Sequence, residues 1–258
     1  MQIDLTGRVV LVTGAARGIG AGIADAFAAD GATVVRLDLA GAGFPGEGDG
    51  TDLVCDVTDT ASVDGAVEEV LRRFERIDVV VNNAGVNLNG ALDTLDDDAW
   101  LTCFDVNVHG VFRLCRAVAP VMRRQRSGRI INAASFAAIV PSVANAGYAA
   151  SKAAVMQLTR VLAGELGPYG VTVNAYAPGM VPTGINGFAD MPAAAQDRLL
   201  DTLTLRRWED ASDVANVVRF LASDAAAYVT GALIDVSGGK LATQLPQVGY
   251  ELAAQRDA

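Results

Sequence analysis

Apolar residues fall along this chain in two alternating patterns. Short, nearly unbroken apolar runs at Arg8–Val12, Thr33–Asp38, Leu53–Val57, Ile77–Val81, Gly128–Ser135, Val171–Ala177 and Thr230–Val236 predict seven buried strands. Between them lie stretches with helical spacing: an alanine-rich segment ending near Ala29, one capped within Thr58–Ser62 and running to about Phe74, and one long helix from Asp96 to Met122 through Val106, Val111, Leu114 and Val118. Two more helices follow, around Ala149–Leu162 and Asp213–Ala222. Strands apolar on both faces and alternating with helices predict a single α/β domain over residues 1–258, a Rossmann-type, doubly wound, seven-stranded parallel sheet flanked by helices. The pattern weakens in three places: a glycine-rich loop at Ala40–Gly50, residues 184–207, which read as a mobile lid or a peripheral packed helix, and the tail 241–258.

Charge narrows the partners. A formal charge of −10 over 258 residues argues against nucleic acid and against an anionic membrane, since both need a positive face. The one basic cluster, Arg123, Arg124 and Arg126, falls where a helix should end and is favoured there by the helix dipole. No signal-like start and no apolar stretch of spanning length is present, so a soluble, cytoplasmic protein is expected. Cys55, Cys103 and Cys115 read as reduced, buried thiols, and the lone His109 cannot make a histidine metal site; no metal is expected.

Several strand ends carry residues suited to chemistry. Thr13-Gly14-Ala15-Ala16-Arg17-Gly18-Ile19-Gly20 joins the first strand to a helix, where glycines permit a tight turn and the helix N-terminus offers N–H groups to a pyrophosphate. The next strand ends in Asp38, which can accept hydrogen bonds from an adenosine ribose diol and would repel a 2′-phosphate, pointing to NAD over NADP; Arg17 could instead reach a phosphate. Asp56, after the third strand, reads as an adenine contact or a loop carboxylate. Asn82-Asn83-Ala84-Gly85 reads first as architecture tying neighbouring strands and second as a wall beside the cofactor. Asn107 sits in a helix interior, where asparagine calls for a partner. Ser135 ends the fifth strand, and Tyr148 and Lys152 share one face of the helix that follows.

Thr13-Gly14-x3-Gly18-x-Gly20, Asn83-Ala84-Gly85, Asn107, Ser135, Tyr148-x3-Lys152 and Pro178-Gly179 stand in the order and near the spacings of the short-chain dehydrogenase/reductase family, which residues 5 to 240 resemble. The resemblance implies a cofactor turn at Thr13, Gly14, Gly18, Ile19 and Gly20, an NAD-selecting acid at Asp38, an adenine contact at Asp56 and Val57, and a cofactor-lining segment at Asn83, Ala84 and Gly85. It implies a catalytic tetrad of Asn107, Ser135, Tyr148 and Lys152, and nicotinamide-side residues Pro178, Gly179, Val181 and Thr183. Lys152, together with the positive nicotinamide of NAD⁺, is expected to lower the Tyr148 pKa so that the phenol serves as general base or acid. The expected activity is NAD-dependent interconversion of a secondary alcohol or polyol and its ketone. The closest alternative is NADPH-dependent reduction of a 3-oxoacyl thioester on an acyl carrier protein, with Arg129 and the preceding arginines facing the acidic carrier; a dinucleotide-sensing protein without catalysis is the third reading. Asn87, Phe136, Ala137, Ile139, Asn145 and Met180 are candidates for the substrate wall. A homotetramer or homodimer is implied by the resemblance.

Overall fold

The structure is a computed structural model and describes residues 3–44, 51–183, 188, 191–240 and 242–257. Seven parallel strands lie in the order β3-β2-β1-β4-β5-β6-β7. They are β1 (Val9–Thr13), β2 (Thr33–Asp38), β3 (Leu53–Val54), β4 (Val79–Asn82), β5 (Gly128–Ala133), β6 (Val171–Pro178) and β7 (Leu233–Val236). The helices are α1 (Gly18–Ala29), α2 (Thr60–Phe74), α3 (Asp97–Phe104), α4 (Gly110–Gln125), α5 (Ala146–Leu166), α6 (Ala193–Leu200), α7 (Ala211–Ala222) and α8 (Gln247–Asp257).

Strand periodicity divides the core in two. Val9 and Leu11 of β1 pack with Val67 of α2, Leu114 of α4 and Val155 of α5, while Val10 and Val12 pack with Phe27 of α1 and Val218 of α7. Both faces of the sheet are thus covered, as a parallel sheet requires. β1 pairs with β2 on one side and with β4 on the other, so the chain reverses its direction of winding there. The crevice at the carboxyl ends of β1 and β4 is where such a fold takes ligands.

Three expectations about the elements need correction. β3 stops at Val54 rather than Val57, because the Asp56 carboxylate turns the chain by accepting from the Thr58 N–H (2.8 Å) and hydroxyl (2.7 Å). β7 begins at Leu233 rather than Thr230, since Gly231 has φ +69° and leaves the extended region. The helix expected from Asp96 to Met122 is interrupted at Asp105–His109 by a π-helical turn that carries the buried Asn107. The tail, which carries no clear pattern, forms α8; Tyr250 donates its hydroxyl to the Thr204 carbonyl (2.8 Å) and accepts from the Arg206 N–H (3.1 Å). Residues 184–187, 189 and 190 of the expected lid, with Gly184 at its start, lie outside the described residues, as do 45–50 of the glycine-rich loop.

Arg129 is no carrier-facing group. It is buried and hydrogen-bonded to Asp224 at 3.2 Å. The three cysteines are buried free thiols, and among the described residues no helix is long and apolar enough to cross a membrane.

Candidate active site

The carboxyl end of β1 is built around Asn83. Thr13 Oγ1 accepts from the N–H groups of Asn83 and Ala84, both at 3.0 Å, while Asn83 Nδ2 donates to the carbonyls of Thr13 (3.0 Å) and Gly14 (3.1 Å). Asn83 Oδ1 accepts from the buried Tyr176 hydroxyl (3.0 Å). This segment is architecture first, as its residue types suggest. Gly14 has φ +63°, and a Cβ there would lie 2.9 Å from the Ala84 Cα, so only glycine fits. The first turn of α1 holds no acid, and Arg17 at its N-cap makes no side-chain cap hydrogen bond. Its N–H groups therefore stay available to an anion, which fits the pyrophosphate of a dinucleotide.

Asp38 lies at the tip of β2 and accepts from the Ala16 N–H (2.8 Å) and the Leu39 N–H (2.9 Å). Its carboxylate is thereby locked beside the glycine turn. Arg17 is exposed and Ile19 half-buried. Asp56 spends one oxygen on its own turn, and Val57 is buried against the start of α4, where a Cβ on Gly110 would lie 2.9 Å from its side chain.

The stretch after β5, α5 and the π-helical turn bring together the four residues expected as a tetrad. Ser135 follows β5, is buried, and accepts from the Ala137 N–H at 3.1 Å. From α5, Lys152 Nζ donates to the Ala133 carbonyl (2.8 Å) and lies 5.7 Å from the centroid of the Tyr148 ring. Asn107 is fully buried: Oδ1 accepts from the Val86 N–H, and Nδ2 donates to the Val86 carbonyl and to Ser151 Oγ, each at 2.9 Å. The π-helical turn lets a helix-borne asparagine grip the backbone after β4. A Cβ on Gly85 would come 3.1 Å from Asn107 Oδ1 and 3.3 Å from Lys152 Nζ, so Gly85 keeps the asparagine and lysine close.

Ser151, whose hydroxyl donates to the Tyr148 carbonyl at 2.7 Å, was not singled out by sequence reasoning. Its position three residues after Tyr148, on the face that also carries Lys152, is the signal that could have found it.

Burial dominates the electrostatics. It raises the Tyr148 pKa, with Ser135 pulling it back by hydrogen bonding, and lowers Lys152 to about 8. The expected lowering of the Tyr148 pKa joins Lys152 to the positive nicotinamide of a bound cofactor; in the chain by itself burial is the largest influence on both groups. What the pocket favours is a protonated phenol.

The substrate-wall candidates separate. Phe136 is half-buried, and the oxygens of Asn87 and Asn145 are buried without hydrogen-bond partners. Ala137 is buried, while Ile139 is 46% exposed and stands at the rim. Met180 instead turns into a cavity of about 350 Å³ shared with Leu203, Glu209 and Ser237. On the nicotinamide side, Val181 is buried and the Thr183 methyl would lie 3.5 Å from a Cβ on Gly18. Pro178 ends β6, and Gly179 donates its N–H to Glu209 at 2.5 Å.

Glu209 went unnoticed in the sequence, where Glu209-Asp210 before a helix reads as a capping pair; Asp210 alone is the N-cap of α7. Burial raises its pKa to about 8, and Asp213 and Asp235 add to the shift. A carboxyl that keeps its proton in the fold but loses it on unfolding lowers stability as pH rises from the unfolded carboxyl value toward 8. Glu209→Gln retains the acceptor for Gly179 and is expected to raise the melting temperature at pH 8 by about 2–4 °C, with little change at pH 5. Thermal unfolding of both proteins at the two pH values checks this.

Comparison with known proteins places the arrangement. Residues 14–240 match the family model described as enoyl-(acyl carrier protein) reductase. The 3-oxoacyl-[acyl-carrier-protein] reductase FabG of Thermotoga maritima is 38% identical over 245 residues, covering 91% of this chain and 98% of the relative. FabG of Pseudomonas aeruginosa is 39% identical over 249 residues, covering 92% and 98%. The crystal structure of gox2181 superposes with a TM-score of 0.86 at 34% identity, covering 94% of this chain and 98% of that one. Relatives named for 3-oxoacyl reduction overturn, as the main reading, the expectation of a dehydrogenase interconverting a secondary alcohol or polyol and its ketone, and favour its alternative. The residues expected as tetrad and cofactor turn are expected of both activities alike, so they could not separate them. With residues 14–240 matched and two reductases 38% and 39% identical covered almost end to end, the chain belongs to the short-chain dehydrogenase/reductase family.

Proposed function

We propose that this protein reduces the ketone of a 3-oxoacyl thioester to the alcohol at the expense of a reduced nicotinamide dinucleotide. The observation that carries the reading is the complete Asn107, Ser135, Tyr148 and Lys152 constellation in a chain whose relatives are named 3-oxoacyl-[acyl-carrier-protein] reductases. When bound, the dinucleotide supplies the hydrogen and electron pair that the ketone carbon accepts. The protein supplies the proton and the placement. Tyr148, kept protonated by burial, donates its phenolic proton to the ketone oxygen, and the Ser135 hydroxyl holds that oxygen as charge develops on it. Lys152 restores the Tyr148 proton, and Asn107, pinned by Val86 and Ser151, fixes the path by which Lys152 regains its own. The unpartnered amide oxygens of Asn87 and Asn145 offer acceptors to an amide-containing pantetheine arm.

Asp38 supports NADH as the donor. Its carboxylate is held in place by two backbone N–H groups, and a 2′-phosphate beside it would face an adjacent negative charge. Initial rates with a 3-oxobutanoyl N-acetylcysteamine thioester and either NADH or NADPH test both points. Dinucleotide oxidation that depends on the thioester is expected, with kcat/KM about ten-fold or more in favour of NADH. Turnover of simple ketones but of no 3-oxoacyl thioester would sink the assignment, and preference for NADPH would remove the role given to Asp38.

A further inference from the structure

Lys152 and Lys240 are the only lysines in the chain, against eighteen arginines. The first belongs to the tetrad; the second stands in the turn after β7. Lys240 is half-buried, with Nζ 5.2 Å from the centroid of the Phe136 ring and donating to Thr202 Oγ1 at 2.7 Å. Phe136 is the residue after Ser135, and Thr202 lies just beyond α6. The segment carrying Thr202 is stitched to the Lys240 turn, since Leu205 donates its N–H to the Gly238 carbonyl and Thr204 its hydroxyl to the Gly239 carbonyl, both at 2.9 Å. Its ammonium is therefore held between the stretch after α6 and the wall beside Ser135.

Nearby cations are matched differently. Arg206 pairs with Asp201 (2.7 Å) and Asp197 (3.4 Å), and Arg207 pairs with Asp213 (2.6 Å). Among the described residues no carboxylate pairs with Lys240, although the chain carries ten more acids than bases. An aromatic face and one hydroxyl leave donors of the ammonium unused, and a half-buried charge without a counter-ion is costly unless one arrives with a ligand. Burial alone perturbs the group, lowering its pKa with nothing opposing.

We propose that Lys240, positioned by the Thr202 hydroxyl and the Phe136 ring, anchors through its unused N–H donors a subsite for an anionic oxygen group, carboxylate or phosphate, carried by the thioester substrate. This deepens the reductase reading and rests on it. A lysine suits the task as a compact point charge that either group can approach from several directions. The carboxylate would come from the far end of the acyl chain and the phosphate from the pantetheine arm.

Three substrates separate the sources: a neutral 3-oxobutanoyl N-acetylcysteamine thioester, the same thiol carrying a 3-oxoacyl chain that ends in a carboxylate, and 3-oxobutanoyl phosphopantetheine. Lys240→Met is expected to raise KM about ten-fold for one anionic substrate, with kcat within about two-fold and the neutral substrate unaffected. Lys240→Arg should recover most of the loss. An equal effect on all three substrates, or none on any, overturns the subsite, since a merely structural lysine would not discriminate by charge.

A second measurement needs no turnover. Protein labelled with 13Cε-lysine gives two side-chain signals, and Lys240→Met identifies its own. Should no thioester be reduced, titration with glutarate and with inorganic phosphate decides: a saturable shift of the Lys240 signal keeps the subsite while the reductase reading falls, and an unmoved signal overturns the subsite as well.

Discussion

Tyr148→Phe is expected to lower the rate of 3-oxoacyl thioester reduction by about 10²–10⁴-fold, the range that a positioned general acid contributes, while dinucleotide affinity and melting temperature stay near native. The hydroxyl is the only group removed, and the ring keeps its place beside Lys152. Ser135→Ala leaves that donor intact and should cost less, about 10²-fold, through loss of one hydrogen bond to the developing oxyanion. Single-turnover rates of the two variants, beside dinucleotide titrations, check the ranking. Full activity in Tyr148→Phe would remove the tyrosine from the chemistry and with it the role given to Lys152.

What could be read from the chain is the part fixed by local pattern. Continuous apolar runs such as Val79–Val81 place strands because both faces of a parallel sheet are covered, and the seven strands and their parallel order follow. Tyr148 and Lys152 could be paired because helical spacing alone brings them to one face. Roles that depend on contacts distant in sequence were hidden. Arg129 looks like a surface cation until Asp224, ninety-five residues away, closes on it. Asn107 asked for a partner, but only the fold shows that Val86 and Ser151 provide it and that a π-helical turn is the means. Substrate identity was hidden for another reason: the expected tetrad and cofactor turn carry no feature that tells one ketone from another, and the groups proposed to distinguish one, Asn87, Asn145 and Lys240, stand outside the motifs.

Gly20→Ala carries the other large effect, on folding. A Cβ at Gly20 would lie 2.1 Å from the Gly14 carbonyl oxygen and 2.5 Å from Asn83 Nδ2. Neither can step aside. The Gly14 N–H is bonded to the Leu37 carbonyl at 2.8 Å, Gly14 itself is packed against Ala84, and the Asn83 amide is held at one end by Thr13 and Gly14 and at the other by the buried Tyr176 hydroxyl. Relief requires α1 to lift from β1, which breaks the Asn83 network and opens the core around Ile23 and Phe27. The cost should sit at the upper end for overpacking, about 3 kcal/mol or more, with dinucleotide affinity falling alongside because the same carbonyl and amide shape the anion-binding turn. Gly164→Ala is the matched control. It lies in α5 with nothing within 4 Å of the added methyl, and should stabilise by about 0.5–1 kcal/mol through helix propensity. Denaturant unfolding of the two variants, expected to move in opposite directions, tests whether Gly20 is required by the contact between helix and strand; a Gly20→Ala protein as stable as native would show that α1 has room the geometry denies it.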